Sequence, residues 1–135
     1  MEIKNFFQKI FVHSKEVHVP AAIQQHFQKK FSDAMNAEWQ KMDEVYEVVF
    51  YHDEHENIAT YQKDGFMLSL KINLILEELP NKIKQVGQKF GELMNAIKIE
   101  YNEETQFELI IRDEMLVRYS LLLNGAGELL NKRQL

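Results

Sequence analysis

The 135-residue sequence contains no cysteine, which excludes disulfide bonds and thiolate metal sites. This absence leaves the redox compartment open, because a cysteine-free protein can function on either side of a membrane. No uninterrupted apolar run approaches the roughly 20 residues of a membrane-spanning helix, so we expect no membrane span. The first nine residues carry charges where a signal peptide needs an apolar stretch, so the chain as it stands would be cytoplasmic, but its compartment is left unknown by the sequence.

Signatures of catalysis are also missing. No serine occupies a G-x-S-x-G elbow, and no carboxylate pair lies isolated in an apolar segment to act as general acid and base. The glycines of Asn124-Gly125-Ala126-Gly127 fit a hairpin turn better than a phosphate-binding loop. These absences predict a protein that is not an enzyme and that uses no cofactor.

Basic residues are fewer than acidic ones, 16 against 21, and the net charge is −5. Phosphate binding needs a basic surface, so this balance argues against nucleic acid as a partner. The composition, 45% hydrophobic and 27% charged, is that of a globular protein. The length fits one domain, 1–135, with a core of its own.

Apolar residues near the start of the chain follow the spacing of one helical stripe, which predicts a helix over residues 2–12. We expect this stripe to pack on the core, and the alternatives are a homodimer seam or a partner-binding helix. The stripe consists of Ile3, Phe6, Phe7, Ile10 and Phe11.

Two further helices are predicted, beginning at Pro20 and Pro80, because proline suits the first turn of a helix. Alternating apolar residues predict four strands after each helix. The expected strands are Ala37–Met42, Val45–His52, Ile58–Gln62, Phe66–Ile72, Ile97–Tyr101, Phe107–Arg112, Met115–Leu122 and Glu128–Lys132.

The two helix-and-strand groups recur at a constant spacing. Pro20 and Pro80 lie 60 residues apart, and so do the turn signals Asp64-Gly65 and Asn124-Gly125. We therefore predict an α+β fold that consists of an N-terminal helix and a tandem repeat. Each repeat, about 19–76 and 79–133, would hold one helix followed by a four-stranded antiparallel sheet.

Six short segments carry a resemblance to a known family, and they are Val19–Ile23, Phe27–Phe31, Ala37–Trp39, Tyr46–Phe50, Asp64-Gly65 and Glu78–Pro80. With these segments the chain resembles the PepSY-like proteins, which are beta-lactamase-inhibitor-like, over roughly residues 19–133. The resemblance implies tandem helix-plus-sheet units, no known enzymatic activity, and the periplasmic location that is usual in that family.

The richest polar segment is His52-Asp53-Glu54-His55-Glu56, between two predicted strands. Its spacing matches neither the helical zinc motif nor a calcium-binding loop, which favours a solvated acidic turn and no metal site. The alternative is a weak metal or small-ligand site that uses His52 and His55.

Successive side chains of a strand point to opposite sides of the sheet, so we expect one side to face the core and the other side to be open to a partner. The core side holds Tyr46, Val48, Phe50, Phe107, Leu109 and Ile111. The other side mixes apolar, aromatic and charged groups, a composition that suits a protein interface, and the alternative is an ordinary solvated sheet face. We therefore predict a non-enzymatic binding module for an unknown protein or peptide, and the alternatives are the metal or small-ligand protein and a self-associating structural protein. The predicted partner-binding residues are Glu47, Val49, Tyr51, Glu108, Ile110 and Arg112.

Overall fold

The computed structural model describes residues 17–135, so the predicted helix over residues 2–12 lies outside the described part. Within that part the chain forms two α-helices and eight strands. The helices are α1 (Ala21–Lys30) and α2 (Asn81–Gln88). The strands are β1 (Met35–Met42), β2 (Val45–His52), β3 (His55–Gln62), β4 (Met67–Leu74), β5 (Glu92–Tyr101), β6 (Glu104–Arg112), β7 (Arg118–Asn124) and β8 (Leu129–Gln134).

Both helices begin directly after the predicted prolines. The carbonyl of Pro20 accepts hydrogen bonds from the N–H groups of Ile23 and Gln24, and the carbonyl of Pro80 accepts one from Lys84. Proline fits there because its fixed φ suits a helix start and its missing N–H would have no partner anyway. Neither described helix is long and apolar enough to cross a membrane.

The chain divides after Ile72 into two compact units. The core of the first unit lies between α1 and one side of strands β2–β4, where aromatic rings pack edge to face. The ring centroids of Phe27 and Phe50 are 4.9 Å apart, and those of Phe27 and Trp39 are 5.2 Å apart. The buried cluster contains Val19, Ile23, Phe27, Phe31, Tyr46, Val48, Phe50, Ala59, Tyr61 and Leu70.

The second unit, from Asn73 onward, packs α2 closely onto its strands. A Cβ atom at Gly87 would lie 2.7 Å from a methyl carbon of Leu109 and 2.8 Å from one of Leu93. The glycine thus permits the close approach, at the cost in helix propensity that glycine carries. The buried cluster contains Leu79, Ile83, Ala96, Phe107, Leu109, Ile111, Leu121 and Leu123.

The predicted fold class is wrong in its arrangement of the strands. All eight antiparallel strands form one sheet in the order β1 to β8, and two short helices accompany it. The fold is therefore dominated by one sheet and is not an α+β tandem repeat of a helix and a four-stranded sheet. Side-chain alternation predicts each strand, but it does not show with which other strands that strand pairs or whether its edge stays unpaired.

The hairpin turns also depart from the predicted 60-residue spacing. Gly65 and Gly127 hold the left-handed conformation, with φ of 97° and 90°. Their N–H groups donate to the carbonyls of Gln62 and Asn124, which precede them by three residues in each turn. Gly127 is therefore the counterpart of Gly65, and the predicted match of Gly65 with Gly125 is wrong.

Candidate functional site

The strands place the two predicted sets of side chains on opposite sides. Tyr46, Val48 and Phe50 belong to the buried cluster beneath α1, and Phe107, Leu109 and Ile111 belong to the cluster beneath α2, which confirms the predicted core side. The intervening residues of β2 and β6 point the other way. These are the six predicted partner-binding residues, three in each unit.

In the first unit, the three predicted residues of β2 differ in accessibility. Tyr51 is 37% exposed, whereas Val49 is only 4% exposed and so offers little contact area. Glu47 is half-buried, and this burial raises the pKa of its carboxyl group against the opposing influence of Lys71. Tyr51 is therefore the residue of this set that is best placed to touch a partner.

A β-bulge shapes the surface beside Tyr51. Met35 of β1 pairs with Tyr51, and Glu38 pairs with Val49, so two β1 residues face the single residue Phe50 between these pairs. One of the two, Asn36, takes the left-handed conformation with φ of 56°. Asparagine tolerates this conformation, and bulges of this kind often redirect side chains beside functional sites.

A cavity of about 170 Å³ opens at this bulge. Sites for drug-sized ligands usually span roughly 300–1,000 Å³, whereas an apolar cavity of about 150 Å³ holds one benzene molecule. The cavity therefore suits a single side chain better than a cofactor. It is lined by Asn36, Val49, Phe50, Tyr51 and Glu56, and we call it the Tyr51 cavity.

In the second unit, the three predicted residues of β6 are largely engaged within the protein. The Ser120 hydroxyl donates to Oε2 of Glu108 over 2.6 Å, and Nη2 of Arg112 lies 2.7 Å from Oε1 of Glu92. Ile110 is only 6% exposed. Sequence reasoning placed these residues on the correct strand, but it could not foresee that their polar atoms would be paired.

The second unit also has an exposed apolar turn that the sequence prediction missed, because we assigned Met115 to a strand. Met115 is 81% exposed and Leu116 is 70% exposed. Oδ1 of Asp113 accepts hydrogen bonds from the N–H groups of Met115 and Val117. These bonds hold the segment in a turn, and β7 begins only at Arg118. An aspartate that can close such a turn was the available signal. The turn borders a cleft of about 400 Å³ that includes Phe90.

The histidine-containing segment forms a tight hairpin. Asp53 and Glu54 both have positive φ, 51° and 65°, and they join β2 to β3 with His52 directly opposite His55. Nδ1 of His55 lies 2.6 Å from the carbonyl oxygen of Asp53. The His52 ring packs edge-on against Phe31, with 5.3 Å between ring centroids.

Two histidines alone make a poor metal site, because structural zinc sites, for example, almost always supply four protein ligands. Among residues 17–135, no group of three or more histidine, aspartate or glutamate side chains is placed to hold a metal ion. The Tyr51 cavity is therefore the better candidate site.

Comparison with known proteins places the fold. No protein-family profile matches the chain, and no curated protein matches it significantly by sequence. A BLIP-like protein from Bacteroides fragilis matches with a TM-score of 0.76 at 17% identity over 89% of each chain. A DUF2874 family protein from Bacteroides ovatus gives 0.78 at 17% identity, over 88% of this chain and 89% of its own.

A third solved structure is that of a protein from Bacteroides eggerthii for which a periplasmic location is expected. It matches with a TM-score of 0.78 at 16% identity, over 87% of this chain and 90% of its own. The chain therefore has a BLIP-like fold. At these identities the likeness establishes the fold alone, and it does not single out the PepSY-like proteins.

Proposed function

We propose that this protein is a non-enzymatic binding module, which engages a protein or peptide through the sheet surface around Tyr51. The observation that carries the proposal is the Tyr51 cavity, where a small apolar recess adjoins a partly exposed tyrosine. Tyrosine is enriched among the residues that dominate binding energy at protein interfaces, and such anchors act beside well-packed pockets.

The composition of the surface supports a protein partner. Tyr51 lies between Met35 on β1 and Glu56 on β3 in the strand pairing, so an apolar, an aromatic and an acidic side chain are neighbours. Met35 is exposed, and methionine adapts its shape readily to a partner. The net charge of −5 disfavours nucleic acid.

The resemblance to PepSY-like proteins and the likeness of the fold to a BLIP-like protein support the same class of function. They also support the absence of catalysis, since neither is tied to a reaction. The expected periplasmic location of the Bacteroides eggerthii protein favours the exported location that the resemblance implies. Fractionation of the native host tests that location directly.

The test of function is a binding isotherm with a partner captured from the native host. Tyr51→Ala should weaken binding by on the order of 2 kcal/mol, because it removes an anchor side chain. Tyr101→Ala is the matched control, since Tyr101 is an exposed tyrosine at the end of β5. Equal affinities for the two variants, with normal unfolding curves, would place the partner surface elsewhere.

A further inference from the structure

We propose that the Tyr51 cavity receives an arginine side chain from an extended segment of the partner. This inference rests on the proposed function and narrows it to one kind of recognition. It follows from the size of the cavity, from the charge of its lining and from the aromatic ring at its edge.

The lining of the cavity favours a cation. Glu56 is the one charged residue among the five that line it, and no lysine or arginine is among them. The next carboxylate, Glu38, lies opposite Val49 in the strand pairing and is exposed. An acidic partner side chain would meet these carboxylates and be repelled, whereas a basic one would complement them.

The remaining lining residues favour arginine over lysine. The Tyr51 ring gives the recess an aromatic face on which the methylene groups of a long side chain can pack, with the buried Val49 beside it, whereas the Phe50 side chain points to the core side. A guanidinium group stacks on such a face and can bind a carboxylate through two parallel hydrogen bonds. The side-chain oxygen of Asn36 is a further acceptor at the same place.

The size of the cavity sets the limit on its occupant. About 170 Å³ accommodates one side chain but not a folded element, so the rest of the partner segment must stay outside. A leucine could pack on the Tyr51 ring but would bring no positive charge to Glu56. Leucine is therefore the occupant against which arginine must be compared.

The experiment uses capped glycine- and serine-rich heptapeptides with arginine, citrulline, lysine or leucine at the central position. Binding to the full chain is followed by the amide shifts of Tyr51 and Glu56 in NMR titrations. Citrulline keeps the shape of arginine but lacks its charge, so we expect it to bind about tenfold more weakly. Equal binding of the citrulline or leucine peptide would overturn the inference.

Two variants test the assigned roles. Glu56→Gln should remove the preference for arginine over citrulline, while Glu44→Gln, an exposed glutamate next to β2, should keep it. Tyr51→Ala should weaken every peptide. A preference that survives Glu56→Gln would overturn the inference, and so would the absence of shifts with millimolar arginine peptide.

The outcomes separate this inference from the proposed function. If the leucine peptide binds at Tyr51 as well as the arginine peptide does, the arginine inference fails and the binding surface stands. The isotherm with the captured partner decides the proposed function independently, because it does not depend on which side chain enters the cavity.

Discussion

The hydroxyl group of Tyr61 lies 3.0 Å from Nδ1 of His26, and the tyrosine side chain is completely buried. Tyr61 belongs to β3 and His26 to α1, so the contact joins the helix to the sheet in the first unit. The two rings also meet edge to face, with 5.3 Å between their centroids. Burial raises the pKa of Tyr61 to about 12, because an ionised phenol would lose its hydration there.

We expect Tyr61→Phe to lower the free energy of unfolding by about 1 kcal/mol at neutral pH, the usual net value of a lost hydrogen bond. Because the pKa of Tyr61 is higher in the folded protein than in the unfolded chain, the neutral phenol makes its full contribution to the free energy of unfolding below pH 10. This contribution is lost as the pH rises towards about 12. Denaturant unfolding across this pH range should therefore show the difference between the two proteins shrinking. A constant difference would contradict the assignment.

The two sides of the sheet make different contributions to stability. Phe50→Ala and Ile111→Ala should each cost about 2–5 kcal/mol, because both side chains are almost entirely buried in the clusters beneath the helices. Tyr51→Ala should cost much less, since Tyr51 is partly exposed. Denaturant melts of the three variants check the order, and the reverse order would show that the sides are assigned wrongly.

Much of the secondary structure could be predicted from local patterns. The strand over Val45–His52 was predicted with the bounds that the structure has, because β-branched and aromatic residues are concentrated there. Asp64-Gly65 marked a hairpin correctly, because glycine reaches the left-handed conformation without cost. Both signals depend on residues that are adjacent in sequence.

The failures concern interactions that local patterns do not contain. Asp113 binds the backbone of Met115 and Val117, so a segment with strand-like composition forms a turn instead. The Tyr51 cavity depends on a bulge at Asn36, which becomes visible only when the pairing of β1 with β2 is known. The near-complete burial of Val49 and Ile110 likewise follows from tertiary packing and not from alternation.

Leu116 stores backbone strain in the exposed turn. Its φ of 64° is left-handed, which costs a residue other than glycine roughly 1–2 kcal/mol. Leu116→Gly should therefore raise the free energy of unfolding by about 0.5–1 kcal/mol, after the entropy that glycine loses on folding is allowed for. Thermal and denaturant melts measure the change.

Leu129→Gly is the matched control for Leu116→Gly. Leu129 is also an exposed leucine, but it lies in β8, where glycine weakens a strand. We expect this control to be less stable than the parent protein. If Leu116→Gly were destabilised to the same degree, the turn would not be strained.

Glu47 should make the stability of the protein depend on pH. Its burial raises the pKa of the carboxyl group above the ordinary 4.5. The protonated carboxyl group therefore makes its full contribution to the free energy of unfolding below pH 4.5, and this contribution is lost as the pH rises through the raised pKa. Gln40 lies directly opposite Glu47, and its buried Oε1 has no hydrogen-bond partner among the described residues. A protonated Glu47, or a glutamine at that position, can donate to an oxygen placed there.

We therefore expect Glu47→Gln to be more stable than the parent protein at pH 7, because the substitution removes a poorly solvated charge and supplies a donor. The gain should disappear as the pH falls below 4.5, the ordinary pKa of the group, because Glu47 is then protonated in the parent protein as well. Denaturant melts at several pH values measure both effects, and Glu44→Gln, at an exposed position on the same hairpin, controls for the loss of charge. A gain that is absent at pH 7, or that does not vary with pH, would mean that the Glu47 carboxylate is well solvated at the surface proposed to meet the partner.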